Sequence, residues 1–196
     1  MRLYTGKGDQ GTTDLLGARV GKADPRIDIL GELDEASASL GLARAHASQS
    51  RTRTLLIDAQ RDLYEVMAEL AYTAELRPDS RAFSPERTAW LEGETDALSA
   101  DVPLPPQFVL PGESVPGAAL DVARTVVRRA ERVAVALGAS GQIENLEILR
   151  YLNRLSSLLF ILARFEDREA GHEVRLAKAA GDRDGDDKRS GQSANE

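Results

Sequence analysis

The chain has 196 residues, of which 42% are hydrophobic and 29% charged, with no cysteine and a formal net charge of −7 at pH 7. That length supports one sizeable hydrophobic core rather than two. The absence of cysteine removes disulfides, thiolate metal sites and a thiol nucleophile. The negative balance argues against general nucleic-acid binding, although a local basic site could still hold a phosphate.

No apolar run is long enough to span a bilayer. The opening MRLYTGKGDQGTT has neither the apolar segment of a signal peptide nor a basic amphipathic presequence. These features predict a soluble, cytoplasmic protein with no membrane or nucleic-acid partner. Aromatic residues at 5%, against plentiful Ala and Leu, favour helices over a β-sandwich.

In chain order, residues 1–23 carry glycines at 6, 8, 11, 17 and 21 with Thr and Asp between them. This reads as a shaped loop with one short strand at Arg2–Tyr4. Asp24-Pro25 is a cap followed by proline at the first helical position, and predicts a helix from there to about Ala47. Its apolar stripe is Ile27, Leu30, Leu33 and Leu40, with Gly41 on the same face. A second helix is expected over about 50–76, carrying Leu55, Leu56, Leu63, Val66, Met67 and Leu70.

Ser84-Pro85 repeats the cap-and-proline signal and opens a third helix through about Ala97. The segment DVPLPPQFVLPG (101–112) holds four prolines and predicts an extended connection. The fourth helix runs from near Ser114 to Gly138, a suitable residue for a helix end. The fifth runs from about Ile143 to Glu169. The polar, Gly/Ser/Asp-rich stretch 177–196 is expected to be a disordered tail. The reading is therefore all-α: a five-helix antiparallel bundle over 1–176, with a glycine-rich N-terminal loop.

Several residues exceed what a plain bundle needs. In the fourth helix Ala119, Ala123, Val126, Ala130, Val133 and Leu137 share a face, which Leu120, Val127 and Ala134 widen. Arg124, Arg128, Glu131 and Arg132 form a stripe along one edge of it, with Arg129 toward the other. Three arginines in i, i+4, i+8 register repel one another, and either a polyphosphate or the neighbouring acids Glu131 and Asp121 would neutralise them.

Asp34 falls in the first helix's apolar stripe and there requires a cationic partner. Asn153 shares a face with Leu149 and Phe160, where a buried amide must have its hydrogen bonds met. Both could equally be structural devices. In the glycine loop, backbone N–H groups together with Lys7, Thr12 and Thr13 could surround an anion. The loop is not a Walker A motif: Gly17–Lys22 is one residue short and no Ser or Thr follows the lysine.

Three blocks together resemble the PduO-type ATP:cob(I)alamin adenosyltransferase family. They are YTGKGDQGTTDLLG with KADPR and GELDEASASLG, then FVLPGESVPGAALDVARTVVRRAERV, then YLNRLSSLLFILAR. They occur in the family's order over residues 4–164. The resemblance implies a ferritin-like five-helix bundle assembled as a homotrimer, with active sites at subunit interfaces. It implies transfer of the 5′-deoxyadenosyl group of ATP to cob(I)alamin, with Mg²⁺.

By position in the motifs it places Thr5, Lys7, Gly8, Asp9, Gly11, Thr12 and Thr13 in an ATP loop, with Lys22 near the phosphates. Arg128, Glu131 and Asn153 would hold the nucleotide and its Mg²⁺, with Glu131 as the metal's carboxylate. Asp34 and Arg124 would bridge two subunits, and Phe108 would occupy the lower axial side of the corrin. Arg128 and Phe108 are then the residues closest to the chemistry. A reductase or an adenosylcobalamin-dependent mutase is the partner class implied.

Two positions depart from the family pattern. Ser157 stands where an Asp usually follows NRLS, and Lys7 carries the positive charge that more often directly follows the Thr. The first leaves open a non-catalytic binding protein on the same fold. A ferritin-like di-iron protein needs Glu-x-x-His on two helices, and the one such match, Glu169–His172, is broken by Gly171.

Overall fold

A computed structural model of the chain describes residues 4–73 and 76–178. Five helices make up most of it: α1 (Pro25–His46), α2 (Ser50–Ala71), α3 (Pro85–Asp101), α4 (Val115–Ala139) and α5 (Glu147–Glu169). Three of them start where the sequence supplies a cap followed by proline. The side chains of Asp24, Ser84 and Ser114 accept backbone N–H groups of the first turns of α1, α3 and α4.

Helix α2 has no cap of its own at Gln49. Instead Glu166 of α5, wholly buried, accepts from the backbone and hydroxyl of Ser48 at 3.0 and 2.6 Å and from the Gln49 N–H at 3.1 Å. A carboxylate at a helix N-terminus satisfies otherwise orphaned N–H groups and lies favourably in the helix dipole.

The helices pack in the order α2, α1, α4, α5, α3 across the bundle. Ile29, Leu33 and Leu40 of α1, Leu120 and Val127 of α4, and Leu152, Leu155 and Leu159 of α5 are fully buried within one continuous core. Each such side chain contributes roughly 1.5–3 kcal/mol through burial. Among the described residues, no helix is long and apolar enough to cross a membrane.

The structure differs from the sequence reading at five points. The glycine-rich segment is more than a loop. It contains an antiparallel hairpin, β1 (Thr12–Leu15) and β2 (Ala18–Gly21), turned at Leu16-Gly17 with Gly17 at φ +108°. Helix α2 stops at Ala71 rather than near residue 76. There Tyr72 goes extended, the Leu16 N–H donates to Ala71 O, and Thr73 N–H donates to Leu16 O. The hairpin tip is thereby docked on the end of α2.

Helix α3 runs on to Asp101, whereas α5 begins at Glu147 instead of about Ile143. Asn145 accounts for the late start. Its side chain accepts from the Glu147 N–H and donates to Glu69 and to Phe83 O, which holds 143–146 off the helical path. The buried face of α1 is also shifted from the expected stripe, and consists of Ile29, Leu33, Ala36, Leu40 and Ala43. Residues 2 and 3 of the expected strand at Arg2–Tyr4 lie outside the described set, and Tyr4 is not in a strand. Residues 179–196 of the expected tail do so too.

At the α4–α5 seam a guanidinium is buried between two carboxylates. Arg164 reaches Asp121 at 2.6 Å and Asp167 at 3.1 Å, and each of the three is less than 5% exposed. The hydroxyl of the α4 cap Ser114 donates to Asp167 at 2.6 Å. Gly117 sits against this group so closely that an added Cβ would lie 2.1 Å from Asp167 Oδ1. Gly117→Ala is therefore expected to destabilise the fold by about 2 kcal/mol or more. Chemical denaturation checks this.

Candidate functional site

The glycine-rich loop is held by a ladder of short contacts. Gly6 and Gly11 adopt positive φ values of 74° and 76°, which a side chain would resist. The Gly11 N–H donates to Gly8 O, and the Lys22 N–H donates to Gly11 O at 2.8 Å. That brings the Lys22 ammonium over Gly8, where an added Cβ would meet Lys22 Nζ and Cε at 3.4 Å and Thr12 O at 3.2 Å. Thr5 accepts from the Lys7 N–H, and the Asp9 N–H bonds back to Gly6 O. Lys7, Lys22 and Asp9 are exposed, and Thr12 and Thr13 half-buried. The loop thus gathers two ammonium groups and hydroxyls around glycine backbone, a surface suited to an anion.

Arg19 is the residue of this loop that the sequence reading missed. Lying on β2 opposite Asp14, it pairs with that carboxylate at 2.7 Å. It also donates to Lys7 O at 2.5 Å and Thr12 Oγ1 at 2.9 Å, and so fixes the loop's curvature. The signal was the spacing: Asp14 and Arg19 straddle Leu-Leu-Gly-Ala, and become neighbours only when Leu16-Gly17 is read as a hairpin turn.

Asp24 follows directly. It caps α1 through the Arg26 N–H and takes a two-pronged side-chain contact from Arg26. The Arg26 side-chain hydrogen bonds, then the backbone one, hold its carboxyl below the ordinary value of 3.8.

On α4 the arginines are resolved differently from one another. Arg129 is clamped by Glu32 and Glu35 of α1, which hold its guanidinium protonated still more firmly than usual. Arg124 pairs with Asp121 at 2.9 Å. Arg132 donates to Arg128 O. The Arg128 guanidinium is exposed and makes no ion pair among the described residues.

Arg124 and Arg128 line a groove of about 350 Å³ with Thr95 and Ser99 of α3 and Ser156, Ser157 and Phe160 of α5. Leu104 and Phe160 are shared with an adjoining apolar groove of about 310 Å³ that Phe108 lines. Phe108 itself is 89% exposed. The Arg164 guanidinium stands 5.5 Å from the Phe160 ring centroid, so the buried ion group and the groove share a wall.

Asn153 is half-buried and donates to Glu131 Oε1 at 2.8 Å, while its oxygen accepts from Arg154. The expectation that this amide would be satisfied across the bundle is met by a side chain of α4. Asp34 is different: it lies not in the buried stripe but on the exposed side of α1, because the α1 face turned to α4 is the one through Leu33 and Ala36. Among the described residues it forms no ion pair with Arg124, and no hydrogen bond or ion pair joins residues 5–13 or Lys22 to Arg124, Arg128, Glu131 or Asn153. Nor do the described residues contain a cluster of three or more acids and histidines able to cage a metal.

Fold and site together define a helical-bundle protein with a glycine loop that carries two ammonium groups and a separate cationic groove beside an exposed phenylalanine. The chain belongs to the cobalamin adenosyltransferase family, whose description matches residues 3–166. It is 41% identical over 182 residues to the corrinoid adenosyltransferase PduO of Citrobacter freundii, covering 92% of this chain and 54% of that protein. The chain thus spans about half the length of that relative. It is 39% identical over 176 residues to the corrinoid adenosyltransferase of Bacillus subtilis, covering 87% and 89% of the two.

A similar solved structure is that of a Phe-to-His variant of a PduO-type ATP:corrinoid adenosyltransferase from Lactobacillus reuteri, complexed with cobalamin and ATP. The TM-score is 0.83 at 34% identity, over 90% of this chain and 97% of that one.

The depressed carboxyl of Asp24 has a pH consequence. Its stabilisation is present above the unfolded value and is lost as pH falls through the lower folded one. Asp24→Asn should therefore be less stable than wild type at neutral pH, by up to about 1 kcal/mol. The difference should shrink below pH 3.8, as read from denaturation at two pH values.

Proposed function

We propose that the protein transfers the 5′-deoxyadenosyl group of ATP to the cobalt of cob(I)alamin, releasing triphosphate. The observation that carries this reading is the cationic, hydroxyl-lined groove with its unpaired Arg128, opening directly into the apolar groove under Phe108. A polyanion and a large flat apolar ligand would lie side by side there. The relatives' names and the ligands of the Lactobacillus reuteri complex point the same way.

In this reaction a cobalt electron pair forms the Co–C5′ bond while the C5′–O bond breaks, its pair leaving on triphosphate. The nucleophile belongs to the corrinoid, which suits a site with no Cys, Ser–His pair or general base. The protein orients the two substrates and stabilises the charge on the departing triphosphate. Thr5, Gly8, Thr12 and Thr13 supply backbone and hydroxyl donors on the turn that Gly11 makes possible, while Lys7 and Lys22 supply charge. Asp9 shapes the turn. Arg128 faces the phosphates, and Asn153 holds Glu131 in place.

Glu131 is the residue that would hold Mg²⁺. One carboxylate suffices for an ion that takes most of its ligands from phosphate oxygens and water, and the second Glu131 oxygen has no hydrogen bond or ion pair among the described residues. Mg²⁺ bound there neutralises phosphate charge. Phe108 would present its ring to the lower corrin face and keep water from the cobalt. The working location is the cytoplasm.

The proposed site is completed between subunits of a homotrimer, a reading supported by the lack of any hydrogen bond or ion pair among the described residues between the glycine loop and Arg128. The unpaired Asp34 of one copy then meets Arg124 of the next. Asp34→Arg and Arg124→Asp should each dissociate the trimer, and the double exchange should restore it, as read by sedimentation.

The decisive assay is anaerobic incubation with reduced cobalamin, Mg²⁺ and ATP, followed through the corrin spectrum. Formation of light-sensitive adenosylcobalamin supports the reading. A folded protein that binds both substrates without conversion would instead be a non-catalytic binder, with Ser157 in the groove as the first position to restore to Asp.

Arg128→Ala is expected to weaken ATP binding by roughly tenfold to a hundredfold, the loss of one or two charge-assisted hydrogen bonds. Phe108→Ala should keep ATP affinity and lose turnover. Titration and turnover measured on the same preparations separate the two roles.

A further inference from the structure

Phe108 is presented on a segment, residues 102–114, that has no helix of its own and is bracketed by Pro103, Pro105, Pro106 and Pro111. A ring 89% exposed is not fixed by packing, so something else must set where it points. The chain beyond α5 pairs with the backbone that carries it. At the end of α5 Gly171 turns at φ +80° and the His172 N–H donates back to Asp167 O at 2.9 Å.

The chain then runs antiparallel along the phenylalanine segment. Val109 bridges to Leu176, the Leu110 N–H donates to Arg175 O at 2.7 Å, and the Ala177 N–H donates to Phe108 O at 2.8 Å. The Arg175 side chain closes the register on Glu113 at 3.0 Å. Both ends of this clasp return to one residue: the Asp167 carboxylate accepts from the Ser114 hydroxyl at the end of the phenylalanine segment, and the Asp167 main-chain O accepts from the His172 N–H at the start of the returning chain. The stretch expected to open the polar tail at Ala177 is here paired backbone.

We propose that residues 175–177 act as a positioning element for the corrin side of the reaction, with the Ala177 N–H and Arg175 holding the Phe108 backbone in register. This rests on the function proposed above. The clasp touches neither the glycine loop nor Arg128, so it governs the placement of the ring and not the nucleotide. A ring shifted by an ångström would leave the lower cobalt face open to water, and turnover is sensitive to displacements of that size.

The test uses the full chain carrying Ala177→Pro, which deletes one N–H from an exposed residue outside every helix, with Ala177→Gly as a control that keeps the donor. Wild type and both variants are assayed for turnover, for ATP affinity, and for the spectrum of bound cob(II)alamin, which reports whether a lower axial ligand is present. The expectation for Ala177→Pro is a fall in turnover of roughly tenfold or more, a spectrum shifted toward the ligand-bound form, and unchanged ATP affinity and melting temperature. Ala177→Gly should stay near wild type.

Arg175→Glu should lose part of the turnover, and Glu113→Arg in the same chain should recover it. Wild-type turnover and spectrum in Ala177→Pro would overturn the clasp alone. Equal losses in ATP affinity and turnover would also overturn it, since the effect would then be structural. No turnover by wild type would overturn the reaction first and the clasp with it.

Discussion

The buried contact of Arg164 with Asp121 and Asp167 is the constraint on which the rest of the structure depends. Taking three charges out of water costs several kcal/mol per ion, and their mutual attraction offsets this only when geometry and hydrogen bonds are good. Here the carboxylates have further work. Asp121 also binds Arg124, and Asp167 also binds the Ser114 hydroxyl, while the main-chain O of Asp167 takes the His172 N–H. The group therefore fixes the start of α4, the end of α5 and the rotation of α4 that presents Arg124 and Arg128 to the groove. An apolar replacement could match its stability, but it could not set those directions.

The same economy recurs at the other joints. Glu166 caps α2 from α5. Glu69, at 2% exposure, gathers Arg77, the Phe83 N–H and Asn145, tying the α2–α3 and α4–α5 connections together. Asp62 takes both prongs of Arg87 and the Tyr151 hydroxyl. Burial, with the Asp62 charge behind it, pushes that phenol well above its ordinary value of 10.0, so it stays a donor at any working pH. Leucine and alanine fill the bundle, and buried acids on α2, α4 and α5 decide where its loops sit.

This division explains what was legible in the sequence. Helix starts were plain because Asp24-Pro25, Ser84-Pro85 and Ser114 act locally. Helix ends set by distant partners were not. Nothing near Ala71 shows that Leu16 will pair with its backbone, and nothing near Ile143 shows that Asn145 will be drawn to Glu69. Asp34 misled for a related reason. Its spacing fits an apolar stripe one residue out of phase with the buried one, and only the packing of α1 on α4 chooses between the phases. That the Asn153 amide needs a partner was readable from its place beside Leu149 and Phe160, but that the partner is Glu131 was not. Arg19 was hidden behind a turn, and the Phe108 clasp behind a stretch that composition alone marks as tail.

The arginines of α4 show how a site can be left open inside a stable bundle. Like charges one turn apart on a helix cost only about 0.2–0.5 kcal/mol per pair, so the helix need not neutralise every one of them. Arg129 is committed to α1, and Arg124 is steadied by Asp121 one turn before it on its own helix. Arg128 receives no acid, and at position 157, which lines the same groove, the chain places a serine. An anion entering there meets an uncompensated guanidinium with no carboxylate to displace. The repulsion among these arginines is small, and an anion bound there would relieve it.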